Sequence, residues 1–276
     1  MKKIVLTGAA GALGGKLRAP LAKLADALVS TDLAEGLDGL LENESYVKAD
    51  AGDGAAMMQL LEGADMVVHF GAIPDEAPFE DILHSNFLGA YNVWNAAQKH
   101  GVKRIIYASS IHAMGMYPKT TRITTDMPHR PDTFYGLSKC FAEDMASMYW
   151  DKYGLEAVCL RIYSASGPVR NTRALGSWLS YDDLIQLVEK SVTTPITGFT
   201  VVYGVSNNDR CPVDNSNAAF LGYRPKDNAE DFAEEIFADS PPADPQDRGQ
   251  MCHGGPFATV PLGESGVAYI EKMSKS

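Results

Sequence analysis

Residues Met1–Gly14, MKKIVLTGAAGALG, decide the fold. The short apolar run Ile4-Val5-Leu6 ends at Thr7 and opens onto Gly8, Gly11 and Gly14, and an amphipathic stretch from Ala12 to about Ala25 follows. The pattern predicts a strand, a tight glycine turn and a helix. Glycine in the turn permits positive φ and lets a ligand approach the backbone with no Cβ in the way. The helix start then offers free N–H groups and a partial positive charge, which suits a pyrophosphate. A glycine triplet alone also describes an ordinary strand–helix connection. A dinucleotide site requires two further features downstream: an acidic residue about 20 residues on and a reactive constellation.

Outward from this stretch, strand-like apolar runs recur at Ile4–Leu6, Ala27–Ser30, Ser45–Lys48, Met66–Phe70, Arg104–Ala108 and Ala157–Ile162. Helical patterns lie between them at Gly54–Leu61, Phe79–His100 and Tyr135–Tyr153. This alternation predicts an α/β fold, a doubly wound parallel sheet with helices on both faces. The regularity fades after Ile162, so the expected division is a dinucleotide-binding domain over 1–162 and a small C-terminal substrate-binding region over 163–276. In that region Gly167–Arg173 reads as a loop, with a helix beginning near Trp178. Tyr181–Ser191 reads as helical, and Phe199–Tyr203 as one further strand returning to the sheet. Residues 239–248, DSPPADPQDR, read as a surface connection, and Gly254-Gly255-Pro256-Phe257 beyond it can fold back over a cleft. Met145 and Met148 follow helical spacing and are expected in the core.

At 276 residues with a formal charge of −11, the chain builds a sizeable core but disfavours nucleic acid and anionic membranes as partners. An anionic ligand would need a local cation. Cys140, Cys159, Cys211 and Cys252 show neither CxxC nor paired-histidine spacing, which points to free thiols and to no metal site. No apolar run approaches the length of a membrane span, and the run behind Met1–Lys3 is too short for a signal peptide. A cytoplasmic protein and a homo-oligomer are expected.

Asp32 closes the second strand in VSTDL, 18 residues beyond Gly14. A carboxylate here accepts hydrogen bonds from ribose hydroxyls and repels a 2′-phosphate, and no arginine stands beside it, which favours NAD over NADP. Asp50 suits the adenine edge or a helix N-cap. His69-Phe70-Gly71-Ala72 ends the fourth strand, and the small residues there let a cofactor lie across the strand ends. The strand Ile105-Ile106-Tyr107-Ala108 ends in Ser109-Ser110, and Tyr135 and Lys139 follow four residues apart on one helix face. A cation near a phenol favours the phenolate, and a phenolate so placed takes a proton from a substrate hydroxyl while hydride leaves the same carbon. Ser110 would bond that hydroxyl oxygen.

GAAGALG, Asp32, Ser110 and Tyr135-x3-Lys139 together resemble the extended short-chain dehydrogenase/reductase family, with a Rossmann-type fold. The resemblance implies a cofactor set of Gly8, Gly11, Ala12, Leu13, Gly14, Asp32, Leu33, Asp50, Ala51, Phe70, Gly71 and Ala72 with Tyr135 and Lys139. It implies that Asn86, in SNFLGAYNV, holds a proton-relay water near the lysine. The runs SSIHAMGMYP, RPDTFYGLSKCFAEDMASMYWDKYG, WLSYDD, VVYG, DNS and FLGYRPKDNAE look like the uronate dehydrogenase branch and span nearly the whole chain. That branch oxidises C1 of galacturonate or glucuronate with NAD to an aldarolactone. The implied sugar-acid contacts are Pro74, Ser110, Ile111, His112, Ser164 and Arg173, with Phe257 covering the substrate. Arginine suits a carboxylate because its planar fork matches it bidentately.

Three stretches depart from the branch pattern. Ile111 replaces an asparagine, Tyr163 replaces a glycine, and Arg210-Cys211-Pro212-Val213 replaces a tryptophan-containing run. The run VVYGVSNNDR is similar to NAD-dependent glucose-6-phosphate dehydrogenases, which keeps a neutral or phosphorylated aldose open as substrate. A non-catalytic dinucleotide sensor would lack the tyrosine or the lysine. A nucleotide-sugar epimerase or dehydratase would want a longer region after Ile162, and a dehydratase an acidic residue beside Ser110.

Overall fold

Alternate residues of the first strand face opposite layers. In β1 (Lys3–Thr7), Ile4 and Leu6 pack into one apolar cluster and Val5 into another. A strand covered on both faces needs this continuous apolar run, because neither side meets water. The computed structural model describes residues 1–238, 240–242 and 244–273. Asp239 and Ala243, within the connection expected over 239–248, lie outside the described residues.

The further strands are β2 (Ala27–Asp32), β3 (Glu44–Lys48), β4 (Met66–His69), β5 (Arg104–Ser110), β6 (Glu156–Ile162), β7 (Ser164–Ala165), β8 (Trp178–Leu179) and β9 (Phe199–Gly204). Seven form one sheet in the order β3-β2-β1-β4-β5-β6-β9, every pair parallel. β7 and β8 make a separate parallel pair. The helices that position the site are α1 (Gly14–Ala22), α2 (Gly54–Leu60), α3 (Phe79–Ile82), α4 (Gly89–His100), α5 (Phe134–Tyr153), α6 (Ala174–Ser177) and α7 (Tyr181–Thr193). Leu17 and Leu21 of α1 and Leu184, Leu187 and Val188 of α7 cover one face. Met57 of α2, Trp94 of α4 and Ala142 and Met145 of α5 cover the other. The chain runs outward from β1 to β2 and β3, then returns to β4. That reversal leaves a crevice at the carboxyl ends of β1 and β4, where ligands of such sheets bind.

The strands fall where the apolar runs place them, and Phe199–Gly204 pairs with β6 at the sheet edge. The helical pattern over 79–100 is one rod interrupted by a π turn at Leu83–Leu88. Two expectations are corrected. No helix begins at Trp178: Arg173 precedes the short α6, Trp178–Leu179 is extended, and the long helix starts at Tyr181 behind a Ser180 cap. Met148 is not in the core, because the buried stripe of α5 runs through Ala142, Met145, Ala146 and Tyr149 and turns Met148 to solvent. The four cysteines are free, Cys211 half-buried and the others buried. Among the described residues no helix is long and apolar enough to cross a membrane.

Candidate active site

The glycine turn is dictated by space as well as by φ. Gly8 has φ +73°, and a Cβ there would lie 2.6 Å from the Gly71 nitrogen. A Cβ on Gly14 would lie 2.0 Å from the Gly8 carbonyl oxygen. The turn is therefore pressed against β4, and α1 starts directly over it. No side chain caps α1 and no acid stands in its first turn, so no side chain there competes with or repels an anion. Asp32, at the end of β2, accepts from the Ala10 N–H at 3.0 Å and from the Leu33 N–H at 2.8 Å. Its carboxylate thereby joins the glycine turn to the second strand.

A cavity of about 620 Å³ runs from this turn across the strand ends. Every residue expected to hold the cofactor lines it, from Gly8, Gly11, Ala12, Leu13 and Gly14 through Asp32, Leu33, Asp50, Ala51, Phe70, Gly71 and Ala72 to Tyr135 and Lys139. Ser110, His112, Pro74 and Tyr163 line its far end. A glycine cradle, a helix start and a ribose-side carboxylate in one cavity fit a dinucleotide with an unphosphorylated ribose. Asp50 is not a helix cap: Asp53 caps α2, and the Asp50 carboxylate accepts from the Gly52 N–H and pairs with His84 at 2.9 Å.

Tyr135 sits in the first turn of α5, whose start is fixed twice. Thr133 Oγ1 accepts from the Gly136 N–H at 2.9 Å, and buried Glu76 accepts from the Tyr135 N–H at 3.0 Å. The Lys139 Nζ donates to the Ala108 carbonyl at 2.8 Å and lies 5.2 Å from the centre of the Tyr135 ring. Burial pushes the Tyr135 phenol up to about 12, against a lowering by its hydrogen bond with Ser110. Burial also lowers Lys139 to about 7, partly offset by the charge of Glu143. The spacing argument expected the lysine to bring the phenol toward working pH. The protein's own groups do not do this, because desolvation outweighs the one contact that lowers the phenol, its hydrogen bond with Ser110.

Asn86 falls in the π turn, 2% exposed, and does not line the cavity. Its Oδ1 accepts from the Ile73 N–H at 2.9 Å, and its Nδ2 donates to the Ile73 carbonyl and to Ser138 Oγ. The side chain thus ties the loop after β4 to α5, as π turns at functional sites often do.

Ile111 corrects a substrate-contact expectation. Ser110 caps a 3-10 turn over Ile111–Met114, accepting from the His112 N–H. Residues three apart eclipse in such a turn, so Ile111 and Met114 enter one apolar cluster with Ile123, Tyr203 and Val213. Ile111 is 1% exposed and faces away from the cavity, while His112 faces it.

Arg173, Ser164 and Phe257 stand behind the far end rather than among the lining residues. Arg173 Nη1 donates to Ser164 Oγ at 2.6 Å and Nη2 to the His253 carbonyl at 2.9 Å, while its buried Nε has no partner. Among the described residues Arg173 makes no ion pair. Burial lowers its pKa. The GGPF tail does fold back: the Phe257 ring packs against His112 in a tilted arrangement, 4.5 Å between centroids. Arg210 pairs instead with Glu230 on an exposed surface.

Three groups escaped the sequence reading. Asp132 holds His112 Nδ1 at 2.8 Å. Glu76 joins Tyr135 to the tail by also accepting from the Gly263 N–H at 2.8 Å. Glu143 accepts from Ser109 Oγ and from Arg161 beneath the reactive serine–tyrosine pair. Each joins segments far apart in sequence, and only an acidic side chain next to the YGLSK run hinted at any of them.

The crevice, the glycine turn and the serine–tyrosine–lysine cluster define a dinucleotide-dependent enzyme of the short-chain dehydrogenase type. The chain belongs to the NAD dependent epimerase/dehydratase family, whose model matches residues 4–181. It is 46% identical to a uronate dehydrogenase of Pseudomonas putida over 94% of this chain and 96% of that one. A solved mutant of the Agrobacterium tumefaciens uronate dehydrogenase, complexed with NAD, superposes with a TM-score of 0.90 at 44% identity, covering 95% of this chain and 98% of that one. An NAD-dependent glucose-6-phosphate dehydrogenase of Haloferax volcanii is 33% identical over 84% of this chain and 96% of that one.

Proposed function

We propose that the protein oxidises C1 of a hexuronate, galacturonate or glucuronate, to the aldarolactone with NAD. The observation that carries the reading is the single cavity joining the glycine turn and Asp32 to Ser110, His112, Tyr135 and Lys139. NAD, when bound, supplies the hydride acceptor and a positively charged ring. Gly8, Gly11 and Gly14 with the α1 start hold its pyrophosphate, and Asp32 its ribose hydroxyls.

The reaction removes a hydride from C1 and the proton from the C1 hydroxyl, leaving a ring ester. Ser110 orients that hydroxyl, and Tyr135 Oη receives its proton in the phenolate form, which the positive charge of bound NAD would favour where the protein's own groups do not. Lys139 stands next to the phenol as the group that pays part of the cost of its charge. Asn86 keeps the loop bearing Ile73 and Pro74 fixed against α5. His112 presents Nε2 to the sugar, because its Nδ1 faces the Asp132 carboxylate. An acidic substrate rather than a neutral aldose is favoured by Arg173, a half-buried cation that makes no ion pair among the described residues and leaves its Nε without a partner, since such a charge is costly until an anion meets it. Ser164 and Phe257 complete that end. The net charge of −11 makes this local cation necessary for an anionic sugar.

The test is Tyr135→Phe. It should bind NAD as the parent does and lose about 10²- to 10⁴-fold in turnover of galacturonate or glucuronate. A phenylalanine variant with near-parent kcat would remove Tyr135 from the mechanism.

A further inference from the structure

Arg173 ends a loop with no regular structure, and a long side chain there loses much rotamer freedom when it is aimed. What aims it lies in the tail. The His253 carbonyl accepts from Arg173 Nη2, and Gly255 (φ +66°) lets the backbone lie so close that a Cβ would fall 2.4 Å from Arg173 Nε. His253 is 1% exposed and fully bonded. Its N–H donates to the Tyr117 carbonyl at 2.9 Å. Its Nε2 faces the Thr121 carbonyl at 2.9 Å, and a carbonyl only accepts, so Nε2 carries the proton. Nδ1 is therefore the acceptor, and the Tyr163 hydroxyl donates to it at 2.7 Å. Tyr163 itself lines the cavity at the end of β6.

We infer that Tyr163 and His253 are positioning residues: their hydrogen bond fixes the His253 carbonyl against Arg173 and so aims the guanidinium at the acidic group of the substrate. Burial, with Lys119 and Arg173 acting the same way, lowers the pKa of His253, which keeps the imidazole neutral and the acceptor nitrogen free. The inference rests on the uronate reading for its substrate, though not for the latch itself.

Two substitutions at one position separate the two ring nitrogens. Asparagine places an amide where Nδ1 stands, and glutamine where Nε2 stands. His253→Asn keeps an acceptor for Tyr163, while His253→Gln keeps only the bond to Thr121. Tyr163→Phe removes the same bond from the other side. His253→Gln and Tyr163→Phe should each raise KM for galacturonate or glucuronate about threefold to tenfold, the loss of one hydrogen bond, with the effect in KM rather than kcat. His253→Asn should stay near the parent. Amide hydrogen exchange needs no substrate. The His253 and Gly254 amides, bonded to the Tyr117 and Gly115 carbonyls, should exchange faster by a similar factor in His253→Gln and Tyr163→Phe, and not in His253→Asn. Equal exchange and equal KM in the glutamine and asparagine variants would overturn the inference. If the parent protein turns over no uronate while the exchange pattern holds, the substrate reading falls and the latch stands.

Discussion

Replacing Arg173 by methionine separates a binding cation from a structural one. Methionine is flexible enough to fill the space of the aliphatic stem. The change removes two hydrogen bonds from a charged donor, to Ser164 Oγ and to the His253 carbonyl, each worth about 1.5–3 kcal/mol. It also removes a half-buried charge that makes no ion pair among the described residues and that Asp132 offsets only from a distance, and burying an ion costs several kcal/mol. The two terms nearly cancel, so stability should stay within about 2 kcal/mol of the parent. Activity should not. A charge-assisted contact of about 1.5–3 kcal/mol corresponds to a loss of roughly 10- to 150-fold in kcat/KM for a uronate, with the matching neutral hexose little affected. Denaturant unfolding and NADH formation on galacturonate and galactose read both terms. Equal losses on acid and hexose, or a stability loss above about 4 kcal/mol, would make Arg173 a structural loop residue.

Asp32→Asn should cut the preference for NAD over NADP in kcat/KM by about tenfold or more, because the carboxylate no longer repels a 2′-phosphate; an unchanged ratio would take Asp32 out of cofactor choice. Ile111→Asn should destabilise the fold by about 3 kcal/mol or more, since it puts an amide into an apolar cluster; an unchanged Tm with improved uronate turnover would show that position 111 reaches the cavity. Lys139→Met should change the pH dependence of stability in the absence of NAD. Burial lowers Lys139 to about 7, so the unfolded chain binds this proton more tightly and the cost is fully present below that pH. The cost is relieved as pH rises from about 7 toward the ordinary lysine range. The Tm advantage of Lys139→Met should therefore be largest below pH 7 and shrink above it, and a constant difference across pH would contradict the burial of a charged lysine.

Much of the cofactor half was legible because it is local. Ile4–Leu6, Gly8, Gly14 and Asp32 are fixed by strand period, by turn sterics and by the end of a neighbouring parallel strand. Tyr135 and Lys139 were legible because a helix places residues four apart on one face. The substrate half was not, because its geometry comes from side chains that meet across long sequence distances. Nothing near His112 announces Asp132 as its partner, and nothing near Tyr163 announces His253, 90 residues away. Ile111 misled because its role came from its place in the family pattern, whereas a 3-10 turn begins there and rotates the isoleucine into the core. The π turn that carries Asn86 and turns it toward Ile73 and Ser138 leaves no mark in the apolar periodicity. The charge state of Tyr135 depends on desolvation, which spacing does not report.

The central claim is that this cavity oxidises a sugar acid, and relative rates of NADH formation across a substrate panel test it most directly. Purified protein with NAD should be compared on galacturonate, glucuronate, galactose, glucose and glucose-6-phosphate. The account predicts kcat/KM for one or both uronates at least about tenfold above every neutral hexose and above the phosphate, the margin expected of one charge-assisted contact. Turnover of glucose-6-phosphate or a neutral aldose at the expense of both uronates would contradict it.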